Sequence, residues 1–518
     1  MNNASSRRWM AMGALSLAVL AISLDVTVLT VALPTLAGVF KASESQLQWF
    51  ITAYTLVLAA AMLPAGLLGD RYGRKAVTLT ALMVFGLGSI TCAYAPSPEV
   101  FIAARAVLGL SGAALIVMAL SLITVLFDES ERPRAVGIWG AANFVALPLG
   151  PILGGWILTN AWWGWVFLLN VPVVLVALVA VIAFVPATRA AERPAIDVLG
   201  VLASSGGLAL LMYGLIEAGR NGWSDSSAVV PSVAGLAVLV AFVLWEARLT
   251  ARVDGHPLVD LGLFRSRSFG WGVTLTSFGV FGLSGLLFTL PQFFQAVIGT
   301  DAQGSGFRLL PVIAGMVAGA LPADRLASRL GAKATVSAGF LVVVAGLALG
   351  STMTSNSGDA FVGAWSFLVG LGSGLGFATS ASAALVELSA ERSGVGAGLI
   401  QAIVKLGPAF GATILGSVLS TTYQARLDLA GLPAAAASVV QQSVFGGLEV
   451  ARQTGSPALA ESVRVAFVAG MDDALRVTAA IAAVGVALTL AFLPGRSPRA
   501  TLEEAQHGGV ERELVARG

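Results

Sequence analysis

Charged side chains are scarce in this chain: aspartate, glutamate, lysine and arginine together make up 11% of its 518 residues. A typical soluble domain carries about 25%, so the composition excludes an ordinary soluble globular protein. Hydrophobic residues make up 57%, and the mean hydropathy is +0.86. We therefore expect an integral membrane protein surrounded by membrane lipids. The net charge of +2 is nearly balanced, which argues against a nucleic-acid partner.

Reactive residue types are also rare. Cys92 is the single cysteine, which excludes a disulfide within the chain and argues against a thiolate metal site. The two histidines, His256 and His507, are too far apart to have the spacing of metal ligands. The phosphate-binding pattern G-x-x-x-x-G-K-[ST] is absent, which argues against direct use of ATP. With no polar segment long enough for a catalytic domain, we expect no enzymatic activity and no bound metal or cofactor.

Long apolar runs dominate what is present. A membrane-spanning helix needs about 20 mostly apolar residues, and fourteen segments qualify. They lie at approximately 10–34, 46–68, 76–95, 100–122, 135–158, 165–186, 197–218, 228–247, 269–295, 306–327, 333–352, 360–386, 394–420 and 474–494. Most lysines and arginines fall in alternate connecting segments. By the positive-inside rule, this predicts a multi-pass protein of the cytoplasmic (inner) membrane with both termini cytoplasmic.

The segment 421–473 is an unusually long outer connection. Val440, Val444 and Leu448 recur at four-residue spacing, and a second pattern of the same spacing follows at 459, 463 and 467. This periodicity predicts an extracytoplasmic helical hairpin. The alternative is an alanine-rich linker without regular structure.

An internal repeat divides the chain. The sequence GLLGDRYGRK (Gly66–Lys75) has a degraded copy, PADRLASRLGAK (Pro322–Lys333), in which Asp324 follows Asp70 by 254 positions. A Gly-Pro pair repeats at a similar offset, in spans five and thirteen. We predict an all-α protein of 6+2+6 helices, with two pseudo-repeated six-helix bundles around a central cavity. The predicted parts are a first bundle at 1–190, two inserted helices at 191–265, a second bundle at 266–495 and a tail at 496–518.

Asp25 and Arg105 are charges within predicted spans one and four. A charged group at mid-membrane costs roughly 2.5–3.5 kcal/mol on insertion scales, so such residues face a bundle interior or a watery cavity. Arginine does not lose its proton in proteins, so Arg105 needs a partner or water. We expect the two residues to pair and to handle protons. The alternative is a purely structural ion pair between two helices.

Gly66–Lys75 lies in a predicted inner loop. Its glycines permit a tight turn, its aspartate can cap a helix, and its cations can meet lipid headgroups. We expect a conformational gate formed by Gly66, Asp70, Arg71, Gly73, Arg74 and Lys75. The alternative is that the cations only set the topology.

Span five contains a Gly-Pro motif made of Gly150, Pro151, Gly154 and Gly155. Proline removes a backbone donor and bends the helix, whereas glycines allow close packing. A hinge helix fits this pattern, and a merely kinked structural helix is the alternative.

Several polar and aromatic residues are candidates for a substrate cavity. Lys405 lies in span thirteen, where it either acts on substrate or extends to an interface. Each of the others has helix packing or interfacial anchoring as its alternative. The full candidate set is Trp49, Tyr54, Asn143, Phe144, Gln292, Phe293, Gln295, Gln401 and Lys405.

In combination these motifs resemble the major facilitator superfamily, specifically its 14-helix drug:proton antiporter branch. The similar segments are the loop Gly66–Lys75, the first-helix sequence at 24–34, Arg105 with Gly109, and the fifth-helix sequence at 150–155, which uptake members tend to lack. The resemblance implies an antiporter that exports amphipathic drugs or antibiotics by alternating access. It implies that the proton motive force drives export, through Asp25 and Arg105, and that a monomer functions.

Three departures from the family pattern bear on function. Leu108 stands where the fourth-helix motif often has glutamine, and Gly164 stands where a Trp-Arg-Trp sequence is common. Gln401 and Lys405 lie where some exporters of dications carry acids, which favours neutral, anionic or monocationic substrates. The alternatives are a dedicated exporter of an endogenous metabolite or self-made antibiotic and, less favoured, an uptake symporter.

Overall fold

The computed structural model describes residues 2–40, 42, 44–128, 130–187, 197–252, 258–259, 261–355, 357–386, 388 and 393–494. Within these ranges the regular elements are helices, and no strand occurs. The predicted tail at 496–518 and part of the predicted junction near residue 190 lie outside the described residues. The prediction of an all-α membrane protein is confirmed.

The first half of the chain forms eight helical pieces. These are α1 (Asn2–Phe40), α2 (Glu44–Ala60), α3 (Met62–Tyr72), α4 (Arg74–Ala93), α5 (Pro98–Leu126), α6 (Arg132–Asn160), α7 (Trp165–Leu168) and α8 (Asn170–Phe184). The next two helices, α9 (Val198–Asn221) and α10 (Ser226–Thr250), correspond to the predicted insertion.

The second half is more broken. It contains α11 (Arg267–Gln292), which continues into a π-helical turn at Phe293–Val297, followed by α12 (Ala302–Arg308), α13 (Leu310–Ala320), α14 (Ala323–Leu330), α15 (Ala332–Gly350), α16 (Asp359–Val386), α17 (Ser393–Arg426), α18 (Ala434–Gln442), α19 (Val444–Thr454) and α20 (Pro457–Phe492).

The described residues contain eleven helices long and apolar enough to cross a membrane, and up to thirteen if two bent pairs count as one span each. One bent pair joins α2 to α3 at 50°, and the other joins residues 303–320 to α14 at 43°. The fifth predicted span, 135–158, corresponds to α6, which has 29 residues but is not among these candidates. The chain is therefore a multi-pass membrane protein, while the 6+2+6 count stays a prediction.

The internal repeat is visible in the backbone. Gly73 separates α3 from α4 with φ of 101°, and Gly331 separates α14 from α15 with φ of 85°. Residues other than glycine rarely adopt such angles, so both halves use the same glycine turn. The two glycines are 258 residues apart, so the residue of the second half that is equivalent to Asp70 is Ser328. The sequence pairing of Asp70 with Asp324 is thus one helical turn out of register.

Two hydrophobic clusters match the two halves. The first is built mostly from α1–α8 and the second from α11 onwards. Helix α9 packs against both α2 and α17, and the Thr413 hydroxyl donates to the carbonyl oxygen of Leu215 at 3.0 Å. The inserted helices therefore lie beside a boundary between the halves.

The long connection at 421–473 is helical, and α19 packs against α20 after a short turn at Gly455. The pattern of Val440, Val444 and Leu448 is split between two helices, since α18 ends before Ser443 and α19 begins after it. The Ser443 hydroxyl caps α19 by accepting from the Gly446 amide. The second pattern belongs to the start of α20, which runs without interruption into the last span. Val440 and Val463 are fully buried, so the periodicity correctly identified core-facing positions.

Candidate functional site

Asp25 and Arg105 form a salt bridge between α1 and α5. Only 2% of Asp25 and 1% of Arg105 is exposed, so the pair is sealed from its surroundings in this conformation. Removing two charges from water costs several kcal/mol per ion unless each is paired and hydrogen-bonded. The sequence correctly predicted that these two residues pair, while their part in proton transfer stays a prediction.

Other groups complete the coordination of the pair. The Asn170 amide donates to Asp25 Oδ1 at 3.2 Å and to the Ser89 hydroxyl at 3.4 Å. Arg105 Nε donates to the Phe50 carbonyl oxygen at 2.9 Å. The Arg105 guanidinium also lies 4.5 Å from the centre of the Tyr54 ring. Arg105 is therefore held by α2 independently of its carboxylate partner.

Sequence reasoning missed Asn170 and Ser89. Asn170 begins α8 inside the apolar sequence WVFLLNVPVV, so an amide within a predicted span was the available signal. Ser89 gives a weaker signal, because serine bonds readily to its own helix backbone. The set that surrounds the ion pair therefore draws on α1, α2, α4, α5 and α8.

Removing one charge of the pair is expected to harm the protein more than removing both. An isolated buried charge costs about 3–5 kcal/mol, so Arg105→Gln leaves Asp25 uncompensated and lowers thermal stability. The double variant Asp25→Asn/Arg105→Gln recovers most of that loss, and neither variant exports. Unfolding of detergent-purified proteins measures this, and additive losses would contradict direct coupling of the two charges.

Asp70 joins the two halves of the chain. Its Oδ1 accepts from the Gly394 amide and its Oδ2 from the Val395 amide, both at 2.9 Å, at the start of α17. Arg74 also donates to Oδ1 at 2.9 Å. The carboxylate thus occupies the amino-terminal end of α17, where unpaired amides and the helix dipole favour negative charge. A Cβ at Gly66 would overlap the Gly394 carbonyl, so this approach requires glycine.

The remaining cations of Gly66–Lys75 have different partners. Lys75 Nζ donates to the Ile182 carbonyl oxygen at 2.7 Å, near the carboxyl end of α8. Arg7 donates to the neighbouring Ala183 carbonyl at 3.1 Å. Arg71 lies over the Tyr72 ring, 5.8 Å from its centre. These contacts stay within the first half. Among the described contacts of the predicted gate residues, those of Asp70 and Gly66 reach the second half.

Further contacts close the same end of the bundle, called here the basic end because Arg74 and Arg132 lie there. The ring of Trp139 stacks on Phe377 with centroids 6.3 Å apart. A Cβ at Gly137 would come within 2.7 Å of the Ala320 side chain. Arg132 donates to the Leu385 carbonyl oxygen at 3.4 Å. The two halves therefore meet at the basic end in this conformation.

The Gly-Pro motif packs α6 against α1. The Thr27 hydroxyl donates to the Ala146 carbonyl oxygen at 3.0 Å. A Cβ at Gly150 would overlap the Thr27 side chain, and one at Gly154 would lie 2.8 Å from Val28. A Cβ at Gly155 meets nothing within 4 Å. Two of the three predicted glycines therefore permit close helix approach, while the Pro151 side chain lies outside the description.

Gly150→Val is expected to stop transport by forcing α1 and α6 apart, whereas Gly155→Val leaves it nearly unchanged. Overpacking a tight contact costs typically 1–3 kcal/mol, and α1 carries Asp25. Initial export rates, normalised to protein inserted in the membrane, measure the difference. Equal losses in both variants would contradict a specific role for the α1–α6 contact.

The predicted cavity residues do not form one cluster. Tyr54 is buried against Arg105, and Asn143 accepts from the Ser23 hydroxyl at 2.9 Å. Trp49 is 41% exposed and lines an outer groove between α2 and α5. Phe293 is fully buried, while Gln292 and Gln295 are half-buried nearby. The Phe144 side chain lies outside the described residues.

Gln401 and Lys405 lie on α17, with Gln401 buried and Lys405 half-buried. Among the residues that the structure describes, no group of three or more histidine, cysteine, aspartate or glutamate side chains is placed to hold a metal ion.

Known proteins with similar sequences are exporters by name. The chain is 31% identical over 499 residues to the tetracenomycin C resistance and export protein of Streptomyces glaucescens, covering 93% of this chain and 91% of that one. It is also 31% identical to the multidrug efflux pump LfrA of Mycolicibacterium smegmatis, covering 93% and 96%.

Solved structures share the fold at low sequence identity. The human organic anion transporter MFSD10 superposes with a TM-score of 0.60 and 16% identity, covering 93% of this chain and 99% of that one. The proton:xylose symporter XylE superposes with a TM-score of 0.60 and 14% identity, covering 95% and 98%. The sequence model of the Major Facilitator Superfamily matches residues 15–412. The chain therefore belongs to the Major Facilitator Superfamily.

Proposed function

We propose that the protein is a proton-coupled antiporter that exports amphipathic small molecules across the cytoplasmic membrane by alternating access. The observation that carries the proposal is the buried Asp25–Arg105 pair, because a membrane protein rarely retains such charges without a use for them. The names of the relatives, which include both antibiotic export and multidrug efflux, support export.

Proton binding is coupled to conformation through Arg105. If Asp25 took up a proton in the present arrangement, Arg105 would keep only the Phe50 carbonyl and the Tyr54 ring. A buried guanidinium without a counter-charge is costly. Protonation of Asp25 therefore requires α1 to move relative to α5, so that Arg105 gains water or another partner.

The contact of Asp70 with α17 acts as the gate at the basic end. Opening that end breaks two amide bonds to the carboxylate and separates the Gly66–Gly394 approach. Closing that end restores these bonds, so that both oxygens of the Asp70 carboxylate again accept from α17. Because α1 also packs on α6 through Gly150, a shift of α1 at Asp25 is passed to α6, which contacts the second half at Gly137.

The charge pattern supports the orientation. The basic end faces the cytoplasm by the positive-inside rule, and the termini lie on that side. Protons moving inward down the proton motive force supply the energy, with no resident cofactor and no enzymatic step. A monomer contains all the groups named above.

A dedicated exporter of an endogenous metabolite or self-made antibiotic is the second candidate. The tetracenomycin C export protein and the pump LfrA are equally identical to this chain, at 31%, so identity does not separate narrow from broad specificity. A neighbouring biosynthetic gene cluster would favour the dedicated exporter, and transport of unrelated compounds would favour the multidrug pump.

Purified protein in proteoliposomes tests the function. An imposed pH gradient, with the membrane potential clamped at zero, is expected to drive ethidium and other amphipathic probes to accumulate against their gradients. Nigericin, which collapses the pH gradient, abolishes accumulation. Movement of every probe in the panel that never exceeds equilibration would contradict a proton-coupled antiporter.

A further inference from the structure

One face of α17 is turned toward the first half of the chain. A Cβ at Gly394 would lie 2.5 Å from the Gly66 carbonyl oxygen, and one at Gly398 would lie 2.6 Å from the Met62 carbonyl oxygen, both on α3. At 100° per residue, position 405 lies within about 20° of position 394 around the helix axis. Lys405 therefore extends the same face that contacts the first half.

Lys405 also lies deep in the membrane. It follows Gly394 by three turns, or roughly 16 Å along the helix. Gly394 marks the closed basic end, and a hydrocarbon core is about 30 Å thick. The side chain thus starts close to mid-depth, too far from either interface for a lysine stem to extend to the headgroups. This argues against the snorkelling alternative.

The ammonium group has no counter-charge in the described part of the chain. No salt bridge or hydrogen bond of Lys405 occurs there, and no charged side chain acts on it. The fully buried carboxylates of the described residues are otherwise engaged. Asp25 pairs with Arg105, Asp70 bonds to Arg74 and the start of α17, and Glu246 accepts from the Val259 amide at 3.0 Å.

A cation that faces the boundary between the halves, at mid-depth and unpaired, is placed to receive a negative group from outside the chain. Lysine presents a compact positive charge with three donors. It can bind a single anionic oxygen and does not need the planar, two-oxygen partner that matches arginine. Gln401 is buried one turn earlier on the same face and adds amide donors. Both residue types donate hydrogen bonds, as an anion requires.

We propose that Lys405 is the substrate-charge recognition residue of the exporter and that it selects amphipathic compounds carrying one anionic group, such as a sulfonate or carboxylate. This proposal rests on the proposed export function and adds the class of substrate. Lys405 binds the anionic group while the apolar body of the compound lies among the helices.

Transport of two probes of opposite charge tests the proposal. Energised inverted vesicles receive either 1-anilinonaphthalene-8-sulfonate, an amphipathic monoanion, or ethidium, a monocation. Since a hydrogen bond to a charged group contributes about 1.5–3 kcal/mol, Lys405→Gln is expected to weaken the apparent affinity for the anion by at least about tenfold. Lys405→Arg keeps most of the affinity, because the positive charge remains. Binding of ethidium by Lys405→Gln is expected to strengthen, because the substitution removes a positive charge that repels a cationic probe.

Lys333→Gln is the matched control, since it removes a lysine outside the membrane core and reports any effect of surface charge on dye adsorption. Unchanged affinity for the anion in Lys405→Gln would overturn the proposal, as would equal losses for both probes. Ethidium export by the wild-type protein without anion export would overturn the anion proposal and leave the antiporter standing. Failure of both probes would overturn the anion proposal and count against export itself.

Discussion

Asp25→Asn is expected to abolish uphill export while leaving the protein in the membrane. Asparagine preserves the shape of the side chain but cannot carry a proton between the two sides. Arg105 keeps the Phe50 carbonyl and the Tyr54 ring, so the helices retain part of their connection. Accumulation of substrate in energised inverted vesicles should fall to the level of passive equilibration, since the coupled route is lost.

Asp359→Asn is the matched control for this substitution. Asp359 pairs with Arg308 at 2.8 Å on an exposed surface, where such a pair contributes about 0–1 kcal/mol. Its export should be near that of the wild type. If Asp25→Asn proves unstable, the double variant with Arg105→Gln supplies a protein without an unpaired charge. Wild-type accumulation by either variant would contradict the role of Asp25.

Asp70→Asn is expected to open the basic end and to reduce turnover by roughly a hundredfold. The carboxylate accepts from two amides and from Arg74, whereas an asparagine side chain presents a donor toward one of them. Weakening the bonds from the Gly394 and Val395 amides destabilises the closed state alone, because opening the basic end separates these amides from residue 70. Spin labels placed at the ends of α3 and α17 should show a larger population of the longer distance that belongs to the open state.

Asp324→Asn provides the comparison for Asp70→Asn. Asp324 occupies the related segment of the second half, but its Oδ1 accepts from the Arg325 amide at 2.8 Å beside it. Its substitution should change turnover by less than about twofold. Similar losses in the two variants would mean that the contact between Asp70 and α17 does not control the gate.

The charge of the substrate sets how much energy is available for export. For one proton exchanged with a neutral compound, 100 mV contributes about 2.3 kcal/mol and one pH unit about 1.4 kcal/mol, enough for roughly a 500-fold gradient. A monocation cancels the electrical part. A monoanion doubles it, giving about 6 kcal/mol in total. A monoanion bound by Lys405 would thus be exported with the largest of these three driving forces.

The ion pair could be predicted from sequence because of the cost of charge in lipid. Asp25 and Arg105 stand out in otherwise apolar segments, and each requires a partner. Asn170 was missed because an amide carries no charge and its cost in a helix is smaller. Its position beside Asp25 depends on how α8 packs against α1, which a periodic pattern does not specify.

Contacts between the two halves could not be predicted from the sequence. Asp70 meets Gly394 and Val395, more than three hundred residues away, because the packing of the two bundles brings them together. The sequence predicted a gate at the correct segment but not its partner. The repeat was recognised, yet pairing the two aspartates gave the wrong register, since the glycine turns at Gly73 and Gly331 are the equivalent features.

Span positions were predicted well, and breaks within spans were not. Hydropathy averages over about 20 residues, so it does not register the 50° bend between α2 and α3. The same limit applies to α20, where the predicted outer helix and the last span form one element of 36 residues. Amphipathic periodicity gives the buried face of a segment but not whether two segments are continuous.

The most direct measurement is proton release from energised inverted vesicles on addition of ethidium or 1-anilinonaphthalene-8-sulfonate, followed with a pH-sensitive dye. Wild-type vesicles and Asp25→Asn vesicles with matched protein levels are compared. Release by the wild type alone is the result that proton exchange at Asp25 predicts. Equal release from both proteins would contradict the account and place the proton-carrying group elsewhere.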